Sequence, residues 1–211
     1  LRSQGMTVNH KRIARIMGED NLLAVRDGWQ QPRCHSVRAV RSYPTPATRM
    51  TLSEPNQLWI ADMPYMRLAR EFVYLAVMLD AFSRKVIGWA LGQSLKAQLA
   101  VCALERAIAN RKPPPGVVHH SDQGVQYASR EYMQALWKHR MLPSMSRPGN
   151  PYDNATCESF LKTLKREEIH ATTYRDYEDL RNRLEEFIER YYNRCRLHSA
   201  LGYCSPANFE E

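Results

Sequence analysis

Apolar residues early in this chain fall into three closely spaced runs: Leu58-Trp59-Ile60-Ala61, then Phe72-Val73-Tyr74-Leu75-Ala76-Val77-Met78-Leu79, then Val86-Ile87-Gly88-Trp89-Ala90-Leu91. Such runs, rich in β-branched and aromatic residues and parted by short polar gaps, predict strands at about 57–67, 71–79 and 85–91 joined by hairpins. The spacing then becomes helical over 96–111, until Pro113-Pro114-Pro115-Gly116 stops it, and a buried strand is predicted at 117–120. Residues 129–140 read as helix, 142–146 as a short strand and 154–168 as helix. A last helix, 176–193, carries Tyr177, Leu180, Leu184, Phe187, Ile188 and Tyr191 along one stripe.

Three hairpin-linked strands followed by helix, strand, helix, strand and helix describe an α/β domain. The expected form is a ribonuclease-H-like mixed five-stranded sheet flanked by helices. Upstream, residues 7–18 form a short amphipathic pattern with Val8, Ile13, Ile16 and Met17 on the apolar stripe and Lys11, Arg12 and Arg15 mostly off it. This segment reads equally well as the second helix of a helix-turn-helix unit or as a solvated surface helix. Residues 28–56, with Gly28, Pro32, Pro44, Pro46 and Pro55, read as a linker. The expected organisation is a basic helical segment and linker at 1–50, a ribonuclease-H-like core at 51–170 and a C-terminal helical extension at 171–211.

Three carboxylates stand out against this pattern. Asp62 falls in mid-strand, Asp122 at the end of the fourth strand, and Glu158 near the start of a helix, with 35 residues between the last two acids. Acids in such settings are costly unless a cation accompanies them. Carboxylate oxygens suit Mg²⁺ or Mn²⁺. Two such ions about 3.5–4 Å apart could serve phosphoryl transfer, with Asp62 bridging them and Asp122 and Glu158 each holding one. Lys162 and Lys165, at +4 and +7 from Glu158, share its helix face and could meet phosphates, or simply make helix-stabilising pairs. His119 and His120 are successive strand residues, so at least one points away from any site and packs or orients a neighbour. Trp59, Tyr65 and Trp89 read as core. The loop 147–154 is turn-rich, a flap or a plain connection capped by Asp153 or Asn154.

Charge narrows the partners. The 211 residues carry a net charge of +8 and a pI near 9.4, and residues 1–50 hold nine Lys/Arg against three Asp/Glu. A basic arm on a nearly neutral domain points to a polyanion, nucleic acid above all. Five cysteines without a C-x-x-C pair, and no secretory signal, suggest reduced thiols and a cytosolic setting. No apolar run approaches the roughly 18 residues of a membrane span. The chain opens at Leu1 rather than Met, as expected for a piece of a longer product.

Several stretches carry a resemblance. They are Leu75-Ala76-Val77-Met78-Leu79-Asp80-Ala81-Phe82-Ser83-Arg84, His120-Ser121-Asp122-Gln123-Gly124-Val125-Gln126-Tyr127 and Ser144-Met145-Ser146-Arg147-Pro148-Gly149-Asn150-Pro151-Tyr152-Asp153-Asn154-Ala155. Glu158-Ser159-Phe160-Leu161-Lys162-Thr163-Leu164-Lys165, Tyr192-Asn193-Arg194 and His198-Ser199-Ala200-Leu201-Gly202-Tyr203-Cys204-Ser205-Pro206 complete the set. Together they resemble the IS-three family (OrfB-type) of insertion-sequence DDE transposases, with an integrase catalytic core of the retroviral-integrase-like superfamily.

The resemblance implies that Asp62, Asp122 and Glu158 are catalytic and metal-binding, and that Lys165 is the family's basic residue after the glutamate. It implies Mg²⁺-dependent cleavage at terminal inverted repeats and strand transfer into target DNA. A homo-multimer on DNA, a contribution from the element's upstream reading frame and a bacterial, nucleoid-associated location go with it. Lys162, Lys11, Arg12, Arg15 and Arg194 are further expected DNA contacts. Two departures stand out. Ala61 and Met63-Pro64 replace the family's usual neighbours of the first aspartate, so that Pro64 predicts a bulge or an early strand end; and of the family's N-terminal DNA-binding sequence only the last helix is expected here. A catalytically decayed DNA-binding remnant and a purely hydrolytic nuclease of the same fold are the rival expectations.

Overall fold

The computed structural model describes residue 47 and residues 50–68, 71–146 and 154–211, all within the compact unit Ala39–Glu211. The segment carrying Lys11, Arg12 and Arg15, and the loop residues 147–153, lie outside the described residues.

The three early apolar runs form β1 (Leu58–Asp62), β2 (Tyr65–Arg67), β3 (Phe72–Asp80) and β4 (Val86–Gly92). After α1 (Ala97–Arg111) come β5 (Val118–Ser121), α2 (Arg130–Lys138) and β6 (Leu142–Met145). Helix α3 (Ala155–Leu164) runs on into wider π turns at Lys165–Ile169. Helix α4 (Tyr177–Glu185) does the same over Glu186–Cys195, and a 3₁₀ turn at Ser199–Leu201 leads to α5 (Pro206–Glu210). Among the described residues no helix is long and apolar enough to cross a membrane.

The first strand ends early, as Pro64 predicts, and the mid-strand place expected for Asp62 is not kept. It is interrupted at Met63-Pro64, so Asp62 ends β1 instead of lying in mid-strand. Pro64 has no N–H to donate, but its carbonyl still accepts from the Leu75 amide at 3.0 Å. Pairing with β3 then resumes in the same register: Asp62 faces Val77, and three residues on in each strand Tyr65 faces Tyr74. β1 and β2 are therefore one broken strand, and the six segments act as a five-stranded mixed sheet. β3 lies antiparallel to β1 and β4, while β5 and β6 run parallel to β1.

Alternation along β1 assigns the two faces. Leu58 and Ile60 join Phe160, Leu164, Leu180, Leu184 and Ile188 under α3 and α4. Trp59 and Ala61 turn the other way, onto Leu104 of α1 and Tyr132 and Leu136 of α2. The same period directs Asp62 to the face that α3 covers. Tyr65 is not core: it is 47% exposed and packs edge-on against Phe72, 5.8 Å between ring centres.

Polar side chains tie the C-terminal elements to the sheet. Buried Asp80 accepts from the amides of Asn56 (2.6 Å), Phe82 (3.0 Å) and Ser83 (3.2 Å), fixing the turn between β3 and β4. Arg111 lies 3.7 Å from Asp80 and makes two 2.7 Å bonds to Glu210 of α5, which also accepts from Lys85. The outer strand β4 is covered carbonyl by carbonyl. The Val86 carbonyl accepts from Asn193, Ile87 from Asn110, Trp89 from Arg106 and Leu91 from Tyr177. Asn193 also accepts from the Val86 amide at 2.9 Å.

Helix α1 lies close enough on β4 that a Cβ at Gly88 would run into the Ala103 carbonyl and sit 2.6 Å from the Ala107 nitrogen. Backbone cannot yield as a flexible side chain would. Gly88→Ala is expected to destabilise the domain by about 1–3 kcal/mol, seen as a lower urea midpoint at unchanged m-value. An unshifted midpoint would show that α1 lifts away at no cost.

Candidate active site

Asp62 leaves β1 on the α3 side of the sheet, where its surroundings are crowded. Its Oδ1 accepts from the Met63 amide at 2.7 Å, and its Oδ2 faces the Asn154 side-chain amide at 3.4 Å. Burial, and after it the charge of Asp122, pushes its pKa up to about 7; Glu158 adds to the rise, while the Met63 amide and the positive charge of Lys165 oppose it. Asp122 follows directly on β5, and its Oδ1 accepts from the Gly124 amide at 2.9 Å. Lost hydration raises its pKa too, and the Gly124 bond moderates the rise. A side chain at position 124 would bring its Cβ to 2.8 Å from that oxygen, so glycine permits the close approach.

Glu158 sits in the first turn of α3, partly exposed, with the Lys162 ammonium 4.0 Å away. Behind it Cys157 is fully buried, and its thiol is pushed up by burial and then by the charges of Asp62, Asp122 and Glu158. The hydroxyl of Tyr127 is buried without a hydrogen-bond partner among the described residues. Burial, then Tyr132, Asp62 and Asp122, raises its pKa. Asp62 is thus the centre of the group, coupled to Asp122, to Glu158 and to Lys165. The acids gather loosely: among the described residues, no three His, Cys, Asp or Glu side chains form a ready-made metal shell.

Hard carboxylate oxygens whose charges repel one another at a partly buried site are a donor set that suits Mg²⁺ or Mn²⁺. The buried Asn154 Oδ1, which has no partner among the described residues, adds an unsatisfied oxygen beside Asp62. The histidines are occupied otherwise. His119 Nε2 lies 2.7 Å from the Tyr132 hydroxyl, and burial lowers its pKa to about 3. The His120 ring nitrogens lie 2.9 and 3.0 Å from the Ser144 and Ser146 hydroxyls. Both imidazoles belong to the packed interior.

Asn154 is the contact that spacing along the chain does not reveal. It occupies the N-cap position of α3, but its side chain makes no capping bond and turns to Asp62 instead. Its place four residues before Glu158, about one helical turn, is the only local hint. Arg194 is exposed, whereas Arg196, two residues on, lines a cleft beside Glu158 together with Lys162 and Arg166.

Residues 53–151 match the integrase core domain family, and residues 139–206 match a second family of that description. The whole chain is 36% identical over 212 residues to the transposase for insertion sequence element IS904 of Lactococcus lactis subsp. lactis (strain IL1403), covering 84% of it. It is 38% identical over 216 residues to transposase InsF for insertion sequence IS3A of Escherichia coli (strain K12), covering 73% of that relative. The HTLV-2 integrase catalytic core domain, solved in complex with magnesium, has the same fold. It superposes with a TM-score of 0.57 at 14% identity, over 75% of this chain and 98% of that one. The catalytic domain of Mos1 mariner transposase gives 0.54 at 15% identity, over 64% and 71% of the two chains. Full-length identity to element transposases, on an integrase core, places the chain in the IS3-type insertion-sequence transposases, a family of DDE polynucleotidyl transferases.

Proposed function

We propose that Asp62, Asp122 and Glu158 carry strand cleavage and strand transfer at the terminal inverted repeats of the element. What carries this reading is placement: Asp62 ends β1, Asp122 directly follows its parallel neighbour β5, and α3, which bears Glu158, starts at Asn154 against Asp62. The same three residues would hold Mg²⁺ or Mn²⁺, as two ions. Bound there, the cations would stabilise charge at phosphorus and ease deprotonation of the attacking oxygen.

The chain's own groups prepare that chemistry. Asn154 and the Met63 amide fix the two oxygens of Asp62, and the Gly124 amide fixes Asp122. Lys162 and Lys165 stand on the Glu158 helix face to meet phosphate oxygens. In cleavage, a water oxygen attacks phosphorus and the 3′-oxygen leaves, giving a 3′-hydroxyl end. That hydroxyl then attacks a target phosphodiester, displacing the target's own 3′-oxygen, so one bond forms as one breaks. The unbroken register across Pro64 supports an intact first aspartate over a decayed remnant.

The rest of the reading concerns assembly. Residues 1–50, with Lys11, Arg12 and Arg15, would engage DNA ahead of a core at 51–170 and a helical extension at 171–211, with Arg194 contacting DNA on that extension. Copies would act as a multimer bridging two element ends in the bacterial cytoplasm at the nucleoid, with the product of the upstream reading frame as partner. The name of one solved relative of the fold, the simian T-cell lymphotropic virus intasome, is in keeping with such an assembly.

Asp62→Asn, Asp122→Asn and Glu158→Gln are each expected to cut Mg²⁺-dependent cleavage of an inverted-repeat duplex by about 10³-fold, several kcal/mol of lost transition-state stabilisation. DNA binding by each should stay within a few-fold. Strand transfer is read as products longer than the input strand; if only shortened products form, the chain is a hydrolytic nuclease.

A raised carboxylate pKa means the folded state holds its proton more tightly than the unfolded state does. Stability is then fully present below the ordinary aspartate value of 3.8 and is lost as pH rises through about 7. Metal-free protein should therefore lose about 1–2 kcal/mol between pH 4 and 8 relative to Asp62→Asn, after allowance for solvent screening. Adding Mg²⁺ at pH 8 should raise the melting temperature of the unmodified protein and leave that of Asp62→Asn nearly unchanged. Equal Mg²⁺ responses in the two proteins would remove Asp62 from the metal site.

A further inference from the structure

Beside Glu158 the structure opens a cleft of ≈ 590 Å³ lined by Glu158, Ser159, Lys162, Thr163, Arg166 and Arg196, among others. The lining runs along α3 and past the point where it leaves regular α-geometry for the π turns of Lys165–Ile169, in which Arg166 takes part. Turns of that kind often mark functional positions, because they re-aim the side chains they carry. Here they carry Arg166 and Glu167.

Glu167 organises the guanidinium groups. Its Oε1 accepts from Arg166 Nη2 at 2.9 Å and from Arg196 Nη2 at 3.2 Å; its Oε2 accepts from Arg196 Nε at 3.1 Å and from the Tyr191 hydroxyl at 3.0 Å. Arg196 is thus gripped through a two-pronged fork and is only 21% exposed at its side chain, while Arg166 remains 51% exposed. An arginine held in this way has lost most of its rotamer freedom before any ligand arrives, and its remaining donors match a tetrahedral anion. A strap binding the end of α3 to the end of α4 explains the Glu167–Arg196 fork. It does not explain why Arg166 is bonded to the same carboxylate and lines the same cleft as the acid of the active site.

We infer that this cleft is a phosphodiester subsite, in which Arg166 and Arg196, aligned by Glu167, hold a backbone phosphate of the strand being cut. The inference rests on the reading of Asp62, Asp122 and Glu158 as the catalytic acids. It adds a positioning function for three residues that carry no metal and touch no reacting atom. Lys162, at the outer lip of the cleft and 81% exposed, contributes charge without a fixed geometry.

Glu167→Gln separates this subsite from general surface charge, because the two predict opposite signs. The substitution removes a negative charge and would tighten DNA binding if only net charge mattered. With an aligned pair of guanidiniums it should weaken binding of an inverted-repeat duplex, measured by fluorescence anisotropy, by about three- to tenfold. Arg166→Gln should weaken binding about tenfold and reduce the slope of log affinity against log salt by about one. Since Arg166 is half exposed, this variant keeps the fold, and melting temperatures for Glu167→Gln and Arg196→Gln identify any loss that comes from the strap. Tighter or unchanged binding by Glu167→Gln, or an unchanged salt slope for Arg166→Gln, overturns the subsite alone, provided the unmodified chain still cleaves the duplex. An unmodified chain that cleaves nothing with Mg²⁺ or Mn²⁺ overturns the catalytic reading and the subsite with it.

Discussion

Crowding like charges at the end of a sheet works against folding, and the architecture of this transposase is arranged to make that crowding tolerable. Asp62 feels Asp122 and Glu158 together with the loss of its own hydration. Two negative charges near a protein surface repel by roughly 4 kcal/mol at about 4 Å and an effective dielectric constant near 20. A flexible loop would relieve such repulsion by moving apart. Here the acids stand on or directly beside a central strand, its parallel neighbour and a packed helix, all anchored in a continuous apolar core. The acids stay close, and with burial their charges raise the proton affinity of Asp62.

That retention depends on elements distant from the acids. α3 can hold Glu158 over the sheet because Cys157, Phe160 and Leu164 pack into the same core as Leu180, Leu184 and Ile188 of the C-terminal helices. The C-terminal helices are fastened by polar contacts: Asn193 to the first peptide of β4, and Glu210 to Arg111 and Lys85. Phe160 and Tyr192 meet edge to face at 4.8 Å, linking the helix of the third acid to the π turns that follow α4. The motif around Tyr192-Asn193-Arg194 is therefore part of the scaffold's closure, and its asparagine serves as a substitute strand partner.

The order of elements was legible in the sequence because each has a strong apolar period. The run at 71–79 became β3 within a residue, and 96–111 became α1. The three acids were visible as charges out of place, and the resemblance linked them to a chemistry. Register was less visible. A proline in an apolar run reads as damage, yet Pro64 spends only its missing N–H: its carbonyl keeps the ladder, and the strand continues in step. Asp62 consequently moved from mid-strand to a strand end. The partnership of Asn154 with Asp62 joins residues 92 positions apart, which no local pattern encodes. Arg196, not Arg194, faces the cleft: it lies just past the π turns in extended backbone, where Glu167 holds it, so no helical period along α4 points to it.

The covering of β4 has a consequence for how copies of this protein can meet. An outermost strand with open carbonyls is a template onto which another chain can add itself, and proteins that form ordered assemblies must suppress that route to stay soluble. In this sheet the Val86, Ile87, Trp89 and Leu91 carbonyls are already taken by side chains from α1 and the C-terminal helices. Growth of the sheet at β4 is closed off, so recognition between copies at this edge has to run through side-chain surfaces, whose pairing sequence can tune.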